Sequence, residues 1–307
     1  MTSQTVLLIG APVDCGKARN GCLMGPDAYR TARLGGALTD LGHTVRDLGN
    51  VWPDTTDVAE DAHLVALPET VGWTRALSRA AEEALRQGTA IFMGGDHALS
   101  LGTVHGAAAH AAKVGKPLFV LWLDAHSDFH TCETTESGNL HGTPLAYVTG
   151  RSGFPEFPEV PHPVPEERVC IVGLRSVDGP ERAALEATSI RRHDMRDIDE
   201  GGIAAPLRAF LEEVTAVGGL LHVSLDVDFL DPAVAPAVGT TVPGGATVRE
   251  AHLAMEMIHD AGCLASLDLV ELNPMLDERG RTAQLMVDLA ASALGRTVFD
   301  RPTPRGL

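Results

Sequence analysis

The chain has 307 residues, 44% hydrophobic and 21% charged, which is enough apolar material for a sizeable core. A net charge of −17 and a pI near 5.1 argue against nucleic acid and anionic membranes as partners. The amino-terminal apolar run, Val6 to Ile9, is too short for a signal peptide. No stretch reaches the roughly 18 apolar residues of a membrane span. The cysteines, Cys15, Cys22, Cys132, Cys170 and Cys263, are odd in number and lack CxxC spacing. Free thiols in a reducing cytoplasm are the simplest account of them.

Six apolar runs read in order as buried strands: TVLLIGAPV, TAIFMGGDH, PLFVLWLDAH, RVCIVGLRS, LLHVSLDVDF and CLASLDLVEL. Each is rich in Val, Ile, Leu or Phe with little polar alternation, the pattern of a parallel sheet covered on both faces. Between them lie predicted helices at 69–87, 98–113, 203–216, 247–260 and 281–294, and one from Pro26 toward Leu41. Strand–helix alternation predicts a doubly wound α/β fold. Residues 150–167 are dense in proline; alternation continues on both sides, so they read as a surface loop rather than a linker. The loops 14–25 and 128–140 are the other long connections.

Polar residues gather at the carboxyl ends of these strands, where open α/β sheets bind ligands. MGGDHALS offers Asp96 and His97. WLDAHSD offers Asp124, His126 and Asp128, and SLDVDFLDP offers Asp226, Asp228 and Asp231. If the chain stays extended through the strand end, Asp124, His126 and Asp128 share a face, as do Asp226 and Asp228. Alone, either motif is more commonly a cap or turn former. Together, four carboxylates and two imidazoles would repel and be costly to bury without counter-charge. They instead suit two divalent metals, and the oxygen-rich set favours manganese over zinc or copper. Gly94 and Gly95 read as a tight turn or as close backbone approach near a metal.

GGDHALS, DAHSD, SGNLHGTPLA and SLDVDFLDP with PAVGTTVPGG resemble the ureohydrolase superfamily, and within it arginases. The resemblance runs from GAPVDCGKARNGCLMGPDAYR to SLDLVELNP. It implies one domain over 1–307, with a three-layer α/β/α arginase-like fold and a mostly parallel central sheet. It implies two Mn2+: His97, Asp124, Asp128 and Asp226 for one, Asp124, His126, Asp226 and Asp228 for the other. The implied activity is hydrolysis of L-arginine to L-ornithine and urea by a metal-bridging hydroxide, in a homo-trimer or hexamer. Asp128 would orient the hydroxide and pass a proton to the leaving amine, His141 would shuttle protons, and Glu271 would face the substrate guanidinium.

By the same resemblance, Thr135, Ser137 and Asn139 would contact the α-carboxylate, and Asp178 and Glu181 the α-ammonium. His130 stands where arginases usually carry Asn. It would either take over the carboxylate contact or reshape the pocket for a modified arginine. The alternatives left open are N-hydroxy-L-arginine, agmatine, guanidinobutyrate or formiminoglutamate as substrate. Two readings from other classes are a non-catalytic metal-binding interaction protein and a one-metal amide deacetylase.

Overall fold

The computed structural model describes residues 3–17 and 20–297. Eight strands form one sheet: β1 (Thr5–Ala11), β2 (Thr44–Asn50), β3 (Thr89–Gly94), β4 (Leu118–Leu123), β5 (Val169–Leu174), β6 (Arg191–Asp194), β7 (Leu220–Asp226) and β8 (Leu264–Val270). Their order is β2-β1-β3-β8-β7-β4-β5-β6 and every pairing is parallel. Strand alternation splits the core between two faces. Leu121 and Leu123 point into one cluster and Val120 and Trp122 into the other.

The first face is covered by α1 (Gly25–Thr31), α2 (Leu34–Asp40), α8 (Ala204–Ala216), α9 (Val248–Ala261) and α10 (Arg281–Ala293). The second is covered by α3 (Leu67–Leu85), α4 (Ser100–Val114) and α5 (Pro144–Val148), with Leu185 of α6 (Gly179–Glu186). The short α7 (Met195–Gly201) follows β6. The result is a three-layer α/β/α arrangement, as the sequence predicts.

The six predicted strands are all present, and the sheet has two more. β2 and β6 are edge strands with mostly exposed or half-buried residues, TVRDLGN and RRHD. An edge strand with one face in water has no continuous apolar run to betray it. The helix predicted from Pro26 toward Leu41 is broken, because Arg33 takes a left-handed φ of 65° between α1 and α2. The proline-rich 150–167 segment runs between α5 and β5, on a sheet that continues through both β4 and β5. Gly94 and Gly95 allow close backbone approach. A Cβ on Gly95 would lie 2.4 Å from the Ala11 carbonyl oxygen, and one on Gly94 would lie 2.7 Å from that of Leu269.

Candidate active site and metal centre

The chain leaves β3, β4, β7 and β8 at the same end of the sheet, and the charged side chains converge there. The expected extended geometry does not hold. After β4 the chain bends at once, and Asp128 sits in the left-handed region at φ 48°. Asp228 lies in a short 3-10 turn, Val227–Phe229, capped by the Asp226 side chain. Turns rather than strand periodicity therefore bring these groups together, and Asp124, Asp226 and Asp228 each also satisfy a backbone N–H near the strand end. Asp124 accepts from His126 N at 2.7 Å, and Asp226 from Asp228 N at 2.7 Å.

His97 Nδ1 lies 3.1 Å from Asp124, 2.9 Å from Asp128 and 3.1 Å from Asp226. His126 Nδ1 lies 3.1 Å from Asp228 and 3.5 Å from Asp124. Oδ2 of Asp124 and Oδ2 of Asp128 are buried and accept no hydrogen bond. His97, Asp124 and Asp226 have one ligand atom apiece within 4.8 Å of one another, and so do Asp124, His126 and Asp228. These are two adjacent metal-binding groups sharing Asp124. Asp231 is elsewhere, holding the backbone of Ala233, Gly244 and Gly245. Asp96 caps the turn that carries His97 and accepts from Gly16 N at 2.8 Å.

The electrostatics show a cluster built for cations. Burial, reinforced by Asp124, pushes the Asp128 carboxyl up to about 6. Burial with Asp228 and Asp124 beside it raises Asp226 well above its ordinary range, and burial with Asp124 raises Asp228. Burial also opposes the Asp124 charge, but the His126 and His97 imidazoles beside it win and lower it. Burial would depress His126, yet Asp124 and Asp228 raise it to about 12. Unpartnered buried carboxylate oxygens and clustered like charges fit two divalent ions with oxygen-rich, imidazole-containing shells.

Four supporting residues escape the motif reading. Ser224 Oγ lies 2.7 Å from His97 Nε2, which fixes the ring with Nδ1 toward the carboxylates. Trp122 stacks on the same ring at 4.3 Å between centroids. The Arg175 guanidinium ties the backbone of Gly173, Asp228 and Val242, holding the loop after β7. Lys17 is 4% exposed and forms a salt bridge with Glu271. For Ser224 the signal was present: His222 and Ser224 in β7, like Ser266 and Asp268 in β8, are polar residues at period two inside buried runs. Asp268 accepts from Ser100 at 2.7 Å and Thr103 at 2.5 Å of α4, and His222 contacts Ser266 at 2.8 Å.

Glu271 is held from three sides: by Lys17, by His97 N at 2.9 Å and by His141 Nδ1 at 3.0 Å. Burial disfavours its charge, but Lys17 and His141 outweigh burial and hold the carboxyl well below its usual range. Burial likewise opposes charge on His141, and the hydrogen bond to Glu271 raises it.

A cavity of about 230 Å³ opens above these groups. His97, His126, Asp128, Asp226, Asp228 and Glu271 line its floor, and His130, Thr135, Ser137, Asn139, His141, Asp178 and Glu181 also line it. Of the predicted site residues only Asp124, fully buried beneath, does not reach its wall. His130 turns toward the acidic side of the cavity: its Nε2 lies 2.9 Å from Asp178 and its Nδ1 3.2 Å from Thr134.

Fold and site together define a three-layer α/β/α hydrolase of the binuclear-metal type, with a buried carboxylate beside the metal centre. The comparisons narrow the class. The chain belongs to the arginase family, whose model matches residues 4–295. It is 59% identical to the arginase of Brucella melitensis over 299 residues, 96% of this chain and 98% of that protein. The crystal structure of Bacillus subtilis arginase superposes with a TM-score of 0.87 at 37% identity, covering 96% of this chain and 100% of that one. Proclavaminate amidino hydrolase of Streptomyces clavuligerus is more distant: TM-score 0.70 and 25% identity, covering 95% and 91%.

Proposed function

We propose that the chain is an arginase-type amidinohydrolase that converts L-arginine to L-ornithine and urea with two Mn2+ ions. The observation that carries this is the single cavity, which sets a buried carboxylate for guanidinium, two metal-binding groups and a polar rim around one space. His97, Asp124, Asp128 and Asp226 would hold one ion and Asp124, His126, Asp226 and Asp228 the other. When bound, the pair supplies Lewis acidity, making water a nucleophile near neutral pH and offsetting charge that builds in the transition state.

The chain's own residues do the rest. Glu271 binds the planar guanidinium donor fork, and its orientation is fixed before substrate arrives by Lys17, His97 N and His141. Asp128 Oδ2, which accepts no hydrogen bond, holds the proton that passes to the leaving amine. His141 has a side chain 17% exposed, so it links the buried carboxylates to solvent and relays protons. Thr135, Ser137 and Asn139 face the α-carboxylate, and Asp178 and Glu181 the α-ammonium; His130, expected at the carboxylate, instead sits against Asp178. This rim favours a complete amino acid over agmatine or guanidinobutyrate, each of which lacks one of the two groups. N-hydroxy-L-arginine keeps both and is the alternative substrate, with His130 the residue that would select it.

The test is urea release by the manganese-loaded chain with L-arginine, N-hydroxy-L-arginine, agmatine and 4-guanidinobutyrate at equal concentration. Preference for L-arginine is expected. Preference for either truncated compound defeats the rim assignment while leaving the metal chemistry intact. One ureohydrolase domain over 1–307 is supported by the single sheet and by the family match over 4–295. A cytoplasmic location is supported by five free cysteines, and no described helix is long and apolar enough to cross a membrane. The homo-trimer or hexamer rests on the family resemblance, and sedimentation equilibrium measures it.

A further inference from the structure

At the rim, a third group of ligand-type atoms lies within 4.8 Å of one another: one each from His130, Asp178 and Glu181, none of which belongs to the two metal-binding groups below. Each donor has its other atom anchored. Asp178 Oδ1 caps α6 by accepting from Glu181 N at 2.9 Å. Glu181 Oε1 accepts from Ser127 Oγ at 2.6 Å and from Phe129 N at 3.2 Å. His130 Nδ1 is 3.2 Å from Thr134 Oγ1. That leaves Asp178 Oδ2 facing His130 Nε2 at 2.9 Å, and Glu181 Oε2 facing it at 3.9 Å with only a long 3.5 Å contact from Asp178 N besides.

An imidazole fixed through its second nitrogen, beside carboxylates fixed through their second oxygens, is the outer-shell arrangement that orients metal ligands. A ring nitrogen and two carboxylate oxygens so placed are bridged either by a proton on the ring or by a cation. We propose that His130, Asp178 and Glu181 form a third, rim cation site that takes a borderline divalent ion such as Zn2+. One imidazole and two carboxylates with an open face toward the cavity suit zinc. Asn at position 130 would supply only an amide oxygen. The ion would also occupy the carboxylates assigned to the substrate's α-ammonium, so bound zinc competes with L-arginine; this second half rests on the rim reading above.

The experiment dialyses the manganese-loaded chain against zinc chloride and counts both metals per chain by mass spectrometry. The expected result is two manganese plus one zinc. His130→Asn should weaken the zinc by on the order of a hundredfold, and Thr134→Val, which frees the ring together with the Thr131 backbone N–H, by about tenfold. Zinc that enters only as manganese leaves overturns the proposal, as does a third equivalent held equally well by His130→Asn. Zinc is further expected to raise KM for L-arginine in the parent chain. If the third zinc binds and depends on His130 while KM stays fixed, the site stands and the ammonium role of Asp178 and Glu181 falls.

Discussion

The floor and the rim of the cavity are built differently. On the floor, Asp124, Asp226, Asp228, His97 and Glu271 are each at most 2% exposed and stand directly at or after strand ends. At the rim, Asp178 has a side chain 44% exposed, and Thr135, Ser137 and Asn139 come from a loop. In the buried floor crowded carboxylates share a few imidazoles and Lys17, so removing a counter-charge leaves an uncompensated ion in low dielectric. At the rim water can replace a lost contact. The floor therefore tolerates almost no change, while the rim can be altered to retune the substrate.

The harshest way to test this contrast is Asp124→Asn. Asp124 belongs to both metal-binding groups. The substitution should empty at least one of them and lower kcat/KM by roughly a thousandfold, as expected when about 4 kcal/mol of buried charge interaction is lost. Metal counting together with urea release measures it. Near-normal activity at two metals per chain would show that the floor is less constrained than its burial implies. Next comes Lys17→Met, which strands the Glu271 carboxylate with His141 as its one remaining cationic neighbour. A stability loss of about 3 kcal/mol is expected from an unpaired buried charge, read by urea denaturation.

Ser224→Ala probes the layer beneath the floor. It frees His97 Nε2 and leaves every metal-binding residue in place. Metal affinity should drop by about 10–100-fold, measured by competition with a chelating dye. An unchanged affinity would mean that stacking on Trp122 alone orients the ring.

How much of this was legible follows the same division. The floor was legible because its ligands punctuate apolar strands: DAHSD and SLDVDF break off where the hydrophobic run ends. Their local geometry was not, since the bend at Asp128 and the turn at Asp228 depend on backbone groups that only the folded sheet end leaves unpaired. Edge strands β2 and β6 were hidden by their polar faces. Lys17 lay in a quoted motif, but its partner Glu271 is 254 residues away, a distance no local pattern spans. His130 was noticed as a departure, yet nothing in DFHT indicates that the ring turns to Asp178 rather than toward the Thr135 side.

The floor also dictates a pH dependence in the chelator-stripped chain. Asp128 is raised from 3.8 to about 6, and Asp226 and Asp228 are raised as well, whereas Asp124 and Glu271 are lowered and act only below that window. Folded carboxyls thus hold protons that unfolded ones release near 3.8, so the folded chain binds more protons between pH 3.8 and about 6. Stability of the stripped chain falls as pH rises through that window. Bound ions remove the repulsion, and they bind only deprotonated ligands. The melting temperatures of loaded and stripped chains should therefore diverge by several degrees between pH 4 and 7, seen by calorimetry. A constant gap would mean that the carboxylates are not mutually repelling.

The mildest change is at the rim. His130→Asn removes the contact to Asp178, a pair with one partner largely in water. Such a pair contributes about 0–1 kcal/mol, so KM for L-arginine should move no more than about fivefold and kcat less. The direction carries the information. A lower KM means that His130 occupies Asp178 at the expense of the incoming ammonium. A higher KM means that the ring shapes the pocket for this substrate. A hundredfold loss of kcat would break the contrast itself, because it would make a loop residue with a largely exposed partner as consequential as the buried aspartates below it. Steady-state urea release across L-arginine concentrations, with and without the substitution, distinguishes the three.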